Sequence, residues 1–600
     1  MFFTYLWQSK GLTHKDANSR FSSSLLRQCK LYKEAFGQEP GLRIKQIGNV
    51  FIGQLCYESG IAGWEPWNDM GEAGIVWGGV CENYLGKKLD VGEVNSIIDI
   101  LENSPQKLVG WNGMFSIIAW DENKVSLTTA ATECPTLWRT EGPNGWAAGP
   151  RATPLLEMVG RRAVPDMGAL GLYLQYGYFI GGHSPFDRVS RIHDRQQIVI
   201  EQNAEPLYST YVSLKEYLGP AKVNGNWNEV VSYGVERIMR RVDVQLRHSI
   251  NPVVLLTGGR DSRTIAAAAK KTGRSFITAT SGPSCSEDVL IAAEVSDALG
   301  VKHQLNGGPA SAGLLCGSTG RLKLWTQISE GIIPLNFCLN IKDFLASNLP
   351  FPSERAQFFH GHEPNIGRCL YYSAVELDKL KSMGLEEAHR RLTYNNPFLK
   401  LTSRTNDLLQ DIFFKLDRIL FETHGSAHEW LELFYWRERG LVWGMDLQSV
   451  YSPIRHAWMP LFDRNLLILC RNLTVEQKKS GHFLIDVCSM IVPALEGVKC
   501  STYSTLDRIR LTDRIKQRAI AELHHYMKRF GGSLHYKDRG QESADQTLAG
   551  FWELVFLNTT GHIWREFISE GDLRKLIRVS PQNDLLWRLI TIELLAETYF

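Results

Sequence analysis

No run of apolar residues in this 600-residue chain approaches the roughly 18 to 20 that a membrane helix needs. Charge of one sign is also missing. A formal net charge of +2 gives no electrostatic case for a nucleic-acid partner or an anionic membrane. The 11 cysteines include no Cys-x-x-Cys pair, so reduced thiols in a cytoplasm are expected. The opening Met-Phe-Phe-Thr-Tyr-Leu-Trp has neither a basic flank nor a cleavage site, and it reads as a first strand, not a signal peptide. Internal repeats and low-complexity tracts are absent too. What remains is a globular composition, 44% hydrophobic and 22% charged, in a chain too long for one core. Two or three domains are the expectation.

The stretch Pro252-Val-Val-Leu-Leu-Thr-Gly-Gly-Arg-Asp-Ser-Arg-Thr264 carries the most chemistry. Apolar, β-branched residues ending in two glycines predict a buried strand meeting a tight loop. Thr264 to Lys271 has high helix propensity, with Gly273 where a C-terminal cap falls. Strand, glycine loop and helix together gather backbone N–H groups around an anion. Leu256, Thr257, Gly258 and Gly259 would bring the backbone close to phosphate, Ser262 and Arg263 would add donors, and Asp261 could hold magnesium. No Gly-Lys-Ser/Thr follows, so the loop is not a Walker A sequence. The bland alternative is an ordinary βα turn.

Around it, residues 1 to about 205 read as β-rich. Asn112-Gly113, the apolar run to Trp120, the turn at Asp121 to Lys124 and Val-Ser-Leu-Thr-Thr129 predict a hairpin. Val91 to Leu101 and Trp227 to about Leu246 show helical apolar faces. Ser275 to Ser281 reads as a second parallel strand, and Ser284-x-x-Glu287 as a capping box for a helix to Leu299. Trp430 to Leu447 and the charged stretch 507–530 read as helical. His360-x-His362-Glu363 could be called a metal cluster, but no other ligands have convincing spacing; His424-x-x-x-His428 has helical ligand spacing without a Glu or Cys partner, so a solvated or core histidine pair is the better reading.

Two sets of motifs resemble known families. Thr257-Gly-Gly-Arg-Asp-Ser262 resembles the Ser-Gly-Gly-x-Asp-Ser loop of the ATP pyrophosphatases, which cleave ATP between the α- and β-phosphates, with Thr keeping the first hydroxyl. Gly113-Met-Phe-Ser-Ile-Ile-Ala-Trp-Asp121, Pro135-Thr-Leu-Trp138 and Trp146-Ala-Ala-Gly149 resemble the glutaminase domain of the asparagine synthetases. The similarity to that superfamily spans roughly residues 40 to 505. It implies an α/β protein: an N-terminal-nucleophile-type α-β-β-α sandwich over residues 1–210, then an ATP pyrophosphatase domain with a parallel sheet and many helices over residues 211–600. The family's glutaminase nucleophile is a Cys following the initiator Met, and its base is the chain's own amino group. Phe2 stands there instead, and Cys29 and Cys56 cannot replace it, so the resemblance implies a dead glutaminase.

By the same resemblance, ATP and Mg2+ are the expected cofactors, and Ser281 and Gly282 would meet the adenosine. Phe359-His-Gly-His-Glu-Pro-Asn-Ile-Gly-Arg-Cys-Leu-Tyr-Tyr372 matches the family's glycine-rich acidic loop. Gly361, Gly367 and Tyr371 fall into register, Asn365 takes the acid's position, and Glu363, two residues early, is the candidate metal ligand and catalytic residue; otherwise the second metal contact is weakened. Arg455 to Asp463 resembles a segment that walls the site. Lys499 is the candidate for the cation that stabilises transition-state charge, although strict register puts Ser501 there.

Two relatives share the lost nucleophile and use an amine within the substrate: β-lactam synthetase and the lasso peptide macrolactam synthetase. The second is favoured by Arg263 beside the loop and by Trp- and Tyr-rich stretches suited to a folded peptide. It implies a precursor core peptide as substrate, with a leader-recognition protein and a leader peptidase as partners. Ammonia-dependent amidation of a small acid, and a non-catalytic scaffold, are the alternatives.

Overall fold

Asp121 illustrates why the N-terminal third folds as strands. Its carboxylate accepts from the Asn123 and Lys124 N–H groups at 2.8 and 2.9 Å, a side-chain-closed turn that joins the two strands of the predicted hairpin. The computed structural model of the chain describes residues 2–57, 61, 64–219, 226–282, 284–307, 319–338, 356–362, 367–368, 371, 375–393, 396–422, 425–451, 456–501, 549–553, 555–556, 562–581 and 583–600. The stretch 507–530, Arg455 and His424 lie outside the described residues.

The N-terminal strands are β1 (Phe2–Ser9), β2 (Gly41–Ile47), β3 (Val50–Cys56), β4 (Trp67–Asp69), β5 (Gly74–Gly79), β6 (Phe115–Trp120), β7 (Lys124–Thr129), β8 (Trp138–Gly142), β9 (Gly145–Gly149), β10 (Ser190–Arg191), β11 (Gln196–Glu201) and β12 (Leu207–Thr210). They form two antiparallel sheets, ordered β10-β8-β9-β1-β3-β2 and β12-β11-β7-β6-β5-β4. Leu6, Ile52, Val76, Ile118, Leu127 and Ile198 fill the space between the sheets. Helix α1 (His14–Phe36) covers the outer face of the first sheet, stacking Phe21 on Trp7 with ring centroids 6.1 Å apart. Gly53 permits that approach, because a Cβ there would lie 2.4 Å from Leu25. Helix α2 (Val91–Asn103) covers the second sheet with Val94, Ile97 and Leu101, entered through a capping box of Asp90 and Glu93. The layers are therefore helix, sheet, sheet, helix, as expected.

The chain continues through α3 (Ala152–Met158), α4 (Met167–Tyr176), α5 (Leu214–Leu218) and α6 (Trp227–Arg247). A parallel sheet follows, built from β13 (Pro252–Leu255), β14 (Ile277–Gly282), β15 (His303–Gly307), β16 (Gln357–Phe359) and β17 (Ala457–Trp458). Its order is β15-β14-β13-β16-β17, and every pairing is parallel. Helices α7 (Arg260–Lys271) and α8 (Glu287–Leu299) join its first strands. Ala266, Ala267, Ala268 and Ala269 are fully buried, short side chains that let α7 close on α6 and on the helix Phe483–Ile491. The remaining described chain is mostly helical. No helix among the described residues is long and apolar enough to cross a membrane.

Candidate active site

Strand order reverses at β13. The chain lays β14 and β15 on one side of it, then returns to place β16 and β17 on the other. In an open parallel sheet, the crevice at the carboxyl ends of the strands flanking such a reversal is where ligands bind. The loops leaving β13 and β16 both open there, and they touch. A Cβ on Gly361 would lie 2.8 Å from the Ser262 nitrogen and 3.0 Å from its Cα. Only glycine fits.

The loop after β13 is held by its own hydroxyls. Thr257 N–H donates to Ser262 Oγ at 3.1 Å, the two hydroxyls lie 3.2 Å apart, and Gly259 N–H reaches Thr257 Oγ1 at 3.3 Å. Leu256 is bound into the sheet, donating to Ala279 and accepting from Thr280 Oγ1 at 2.6 Å. Gly258 N–H donates to Asp288 at 3.0 Å. Helix α7 starts at Arg260, earlier than Thr264, and no side chain caps it at Gly259. Its electropositive end therefore faces the crevice, which suits phosphate oxygens. Ser281 is exposed at the carboxyl end of β14, with Gly282 beside it.

Asp261, in the first turn of α7, stands 3.4 Å from the Arg368 guanidinium. A carboxylate beside the start of α7 suits magnesium, and Asp261 is the described residue that would hold it, in exchange for its pairing with Arg368. Glu363 and Asn365 lie outside the described residues. Among the described residues no group of three or more His, Cys, Asp or Glu could hold a metal.

Arg263 departs from the expected role of phosphate donor. It is fully buried, and its guanidinium donates to the carbonyls of Val498 at 3.0 Å, Lys499 at 2.5 Å and Gly258 at 3.2 Å. It is a clamp. Together with the Ser501 N–H, which donates to Gly258 at 3.0 Å, it fastens residues 498–501 against the loop. Both Lys499 and Ser501 thus reach the rim. The Lys499 ammonium is half-exposed and lies 2.5 Å from Glu287, whose hydrogen bond, then charge, raises its pKa. Asp463 belongs to the predicted wall but serves the fold, capping the next helix through Leu466 N–H at 2.9 Å and pairing with Arg237 at 2.6 Å.

His360 and His362 stand behind Gly361. His362 N–H donates to His360 Nδ1 at 3.0 Å, and its Nε2 lies 3.3 Å from the Gly440 carbonyl. Burial, more than any neighbouring charge, pushes both imidazoles down to about 4. The segment holding Gly440 is a π-helical run, Tyr435–Trp443, an irregularity that is frequent at functional sites. Within it Glu438 accepts from Gly181 N–H at 2.7 Å. Arg439 hydrogen-bonds Tyr371, which meets Tyr178.

Neither Cys29 nor Cys56 of the N-terminal sandwich is an activated thiol. Burial pushes the Cys29 thiol up to about 11 and raises that of Cys56. The cavity lined by Phe3, Thr4, Gly78 and Ser116 has a volume of about 20 Å³, room for one water. Sequence reasoning missed Arg260, which donates to the Gly481 carbonyl at 2.6 Å, along with Asp288 and Arg368. A cation directly after Gly367 was the available signal for Arg368.

No protein-family model matches the chain, and no curated protein matches it. Among solved structures, one described as the allosteric regulatory enzyme of purine biosynthesis aligns at 10% identity and a TM-score of 0.23, over 51% of this chain and 65% of that one. The glutamine phosphoribosylpyrophosphate amidotransferase from B. subtilis, complexed with ADP and GMP, aligns at 8% identity and a TM-score of 0.23, over 66% of this chain and 90% of that one.

Proposed function

We propose that the chain is an ATP-dependent amide-forming ligase that adenylates a substrate carboxylate and passes the acyl group to an amine of the same substrate. The observation that carries this reading is the contact of Gly361 on Ser262 at the strand-order reversal, where the uncapped end of α7 opens. A carboxylate is a poor electrophile, because its leaving group would be an oxide. Attack of its oxygen on the α-phosphorus of ATP forms an acyl-adenylate and expels pyrophosphate. Attack of the amine on the acyl carbon then forms the amide, expels AMP and releases one proton. Backbone N–H groups at the start of α7 would hold the pyrophosphate, and Ser281 and Gly282 would border the adenosine. Magnesium, when bound at Asp261, supplies counter-charge to the phosphates. Lys499 would serve the charge that grows on the acyl oxygen, exchanging Glu287 for substrate. Holding amine and adenylate together removes most of the entropic barrier.

The small cavity of the sandwich favours an amine carried by the substrate over ammonia made in place. We assign that substrate to the peptide class, closed into a macrolactam, with a leader-recognition protein and a peptidase as the expected partners. Exchange of labelled pyrophosphate into ATP, with magnesium and a panel of peptides and small acids, tests it. Exchange dependent on a peptide carboxylate should fall at least about tenfold in Asp261→Asn. Exchange with a small acid and free ammonium would move the reading to amidation. Undetectable ATP binding would leave a scaffold.

A further inference from the structure

A second cavity, of about 250 Å³, opens where the sandwich meets the helical region, away from the strand-order reversal. His193, Asp194, Arg195, Gln196 and Thr210 line it from the side of β11 and β12. Leu214 and Lys215 of α5, Ile419, Glu422 and Arg437 close it from the other. Its lining is polar on both sides, unlike an ordinary packing void.

The charges do not balance internally. Asp194 is engaged by Arg195 at 2.8 Å, and Glu422 by Arg418 at 3.2 Å. Among the described residues the Arg437 guanidinium and the Lys215 ammonium have no hydrogen-bonding or acidic partner. Arg437 is half-buried, where an uncompensated cation is costly unless something anionic answers it. Arg195 holds φ at +63°, a conformation that non-glycine residues rarely adopt, with its guanidinium 5.2 Å from the Tyr217 ring centre. The field can be read from a neighbour as well. Burial first, then Arg437, Arg191, Arg195 and Arg139, hold His193 well below its ordinary pKa, so the histidine stays neutral and adds no charge.

We infer that this cavity binds a small anion bearing carboxylate or phosphate oxygens, held by Arg437 and Lys215 with neutral groups from Gln196 and Thr210. Its volume lies below the roughly 300 to 1,000 Å³ of pockets for drug-sized ligands, so a nucleotide does not fit and a di- or tricarboxylate or a phosphate does. The inference does not depend on the proposed ligase activity.

Titration calorimetry on the full-length protein, with citrate and with inorganic phosphate against potassium chloride at matched ionic strength, tests it. At least one of the two should bind saturably where chloride does not. Arg437→Gln and Lys215→Gln should each weaken that binding by about tenfold, and Arg437→Lys should retain most of it. Gly361→Ala, which perturbs the phosphate loop, should leave it unchanged. Because Lys215 is exposed, its variant folds whatever the cost at Arg437. Saturable binding of neither anion overturns the inference. So does binding that survives both Arg437→Gln and Lys215→Gln, or that disappears in Gly361→Ala and so belongs to the phosphate loop.

Discussion

His360 and His362 are two neutral imidazoles packed behind the loop that meets the candidate phosphate site. Each is held near 4, against 6.5 for a solvated histidine. Unfolding exposes both, so between pH 6.5 and 4 the unfolded chain binds protons that the folded one refuses. The stability they represent is present above 6.5 and is lost as pH falls towards 4, on the order of 3 kcal/mol per histidine. Urea denaturation at pH 7 and pH 5 should show the loss, and His362→Gln should make it shallower. An unchanged slope in the variant would show that these residues do not carry it. Beside them, Gly361→Ala places a methyl group against the Ser262 backbone, which a side-chain shift cannot relieve. ATP affinity should drop by about tenfold or more while thermal unfolding moves little, because the strain falls on two loops and not on the core.

At the scale of elements, sequence pattern reached the pieces whose cause is local. The hairpin of β6 and β7 was legible because Asp121 closes its turn by itself. The layered N-terminal sandwich was legible only through the resemblance to the glutaminase domain, because pattern gave β-rich sequence and the apolar face of α2 but not α1. Pattern failed where tertiary contacts reassign a residue. Ser284 was expected to cap α8, yet the helix begins after Ser286, and Asp288 turns away to take the Gly258 N–H. The start of α7 was set at Thr264 because Arg-Asp-Ser-Arg looks like loop, but those polar residues form its first turn and reach neighbours distant in sequence. Trp430 to Leu447 read as one helix; it is interrupted by the π-helical run, whose wider spacing sends Glu438 to the Gly181 N–H and Arg439 to Tyr371. Arg263 is the clearest case. Its neighbours in sequence suggested phosphate, while its contacts are three carbonyls. Arg263→Lys keeps the charge but loses the fork, and should cost about 3 kcal/mol in chemical denaturation. Faster proteolysis around residues 498–501 should accompany it. A variant as stable as the parent would mean that the strip is held by other contacts.

Across the whole molecule, the N-terminal sandwich and the region that follows share buried charges as well as core. Arg151 reaches Glu330, Arg191 reaches Asp446, and Arg241 of α6 joins Glu82 and Glu133 at 2.6 and 2.7 Å. The last cluster sets one cation against two carboxylates. Burial, resisted by Arg241 and reinforced by Glu82, pushes Glu133 up to about 8, so this acid retains a proton more tightly than in the unfolded chain. A raised folded pKa favours the fold at pH below the ordinary 4.5 and withdraws that support as pH rises through about 8. Arg241→Met removes the cation and keeps the volume, leaving two buried acids uncompensated. It should destabilise the protein by about 3–5 kcal/mol at neutral pH and make stability fall more steeply with rising pH. Adding Glu133→Gln supplies a neutral group that needs no proton, and should return part of the loss and flatten the pH slope. Denaturation of the two single variants and the double variant at pH 6 and pH 8 separates the possibilities. If Glu133→Gln rescues nothing, Arg241 acts mainly through the Phe462 carbonyl to which it also donates, and the junction depends on that hydrogen bond more than on the shared charge.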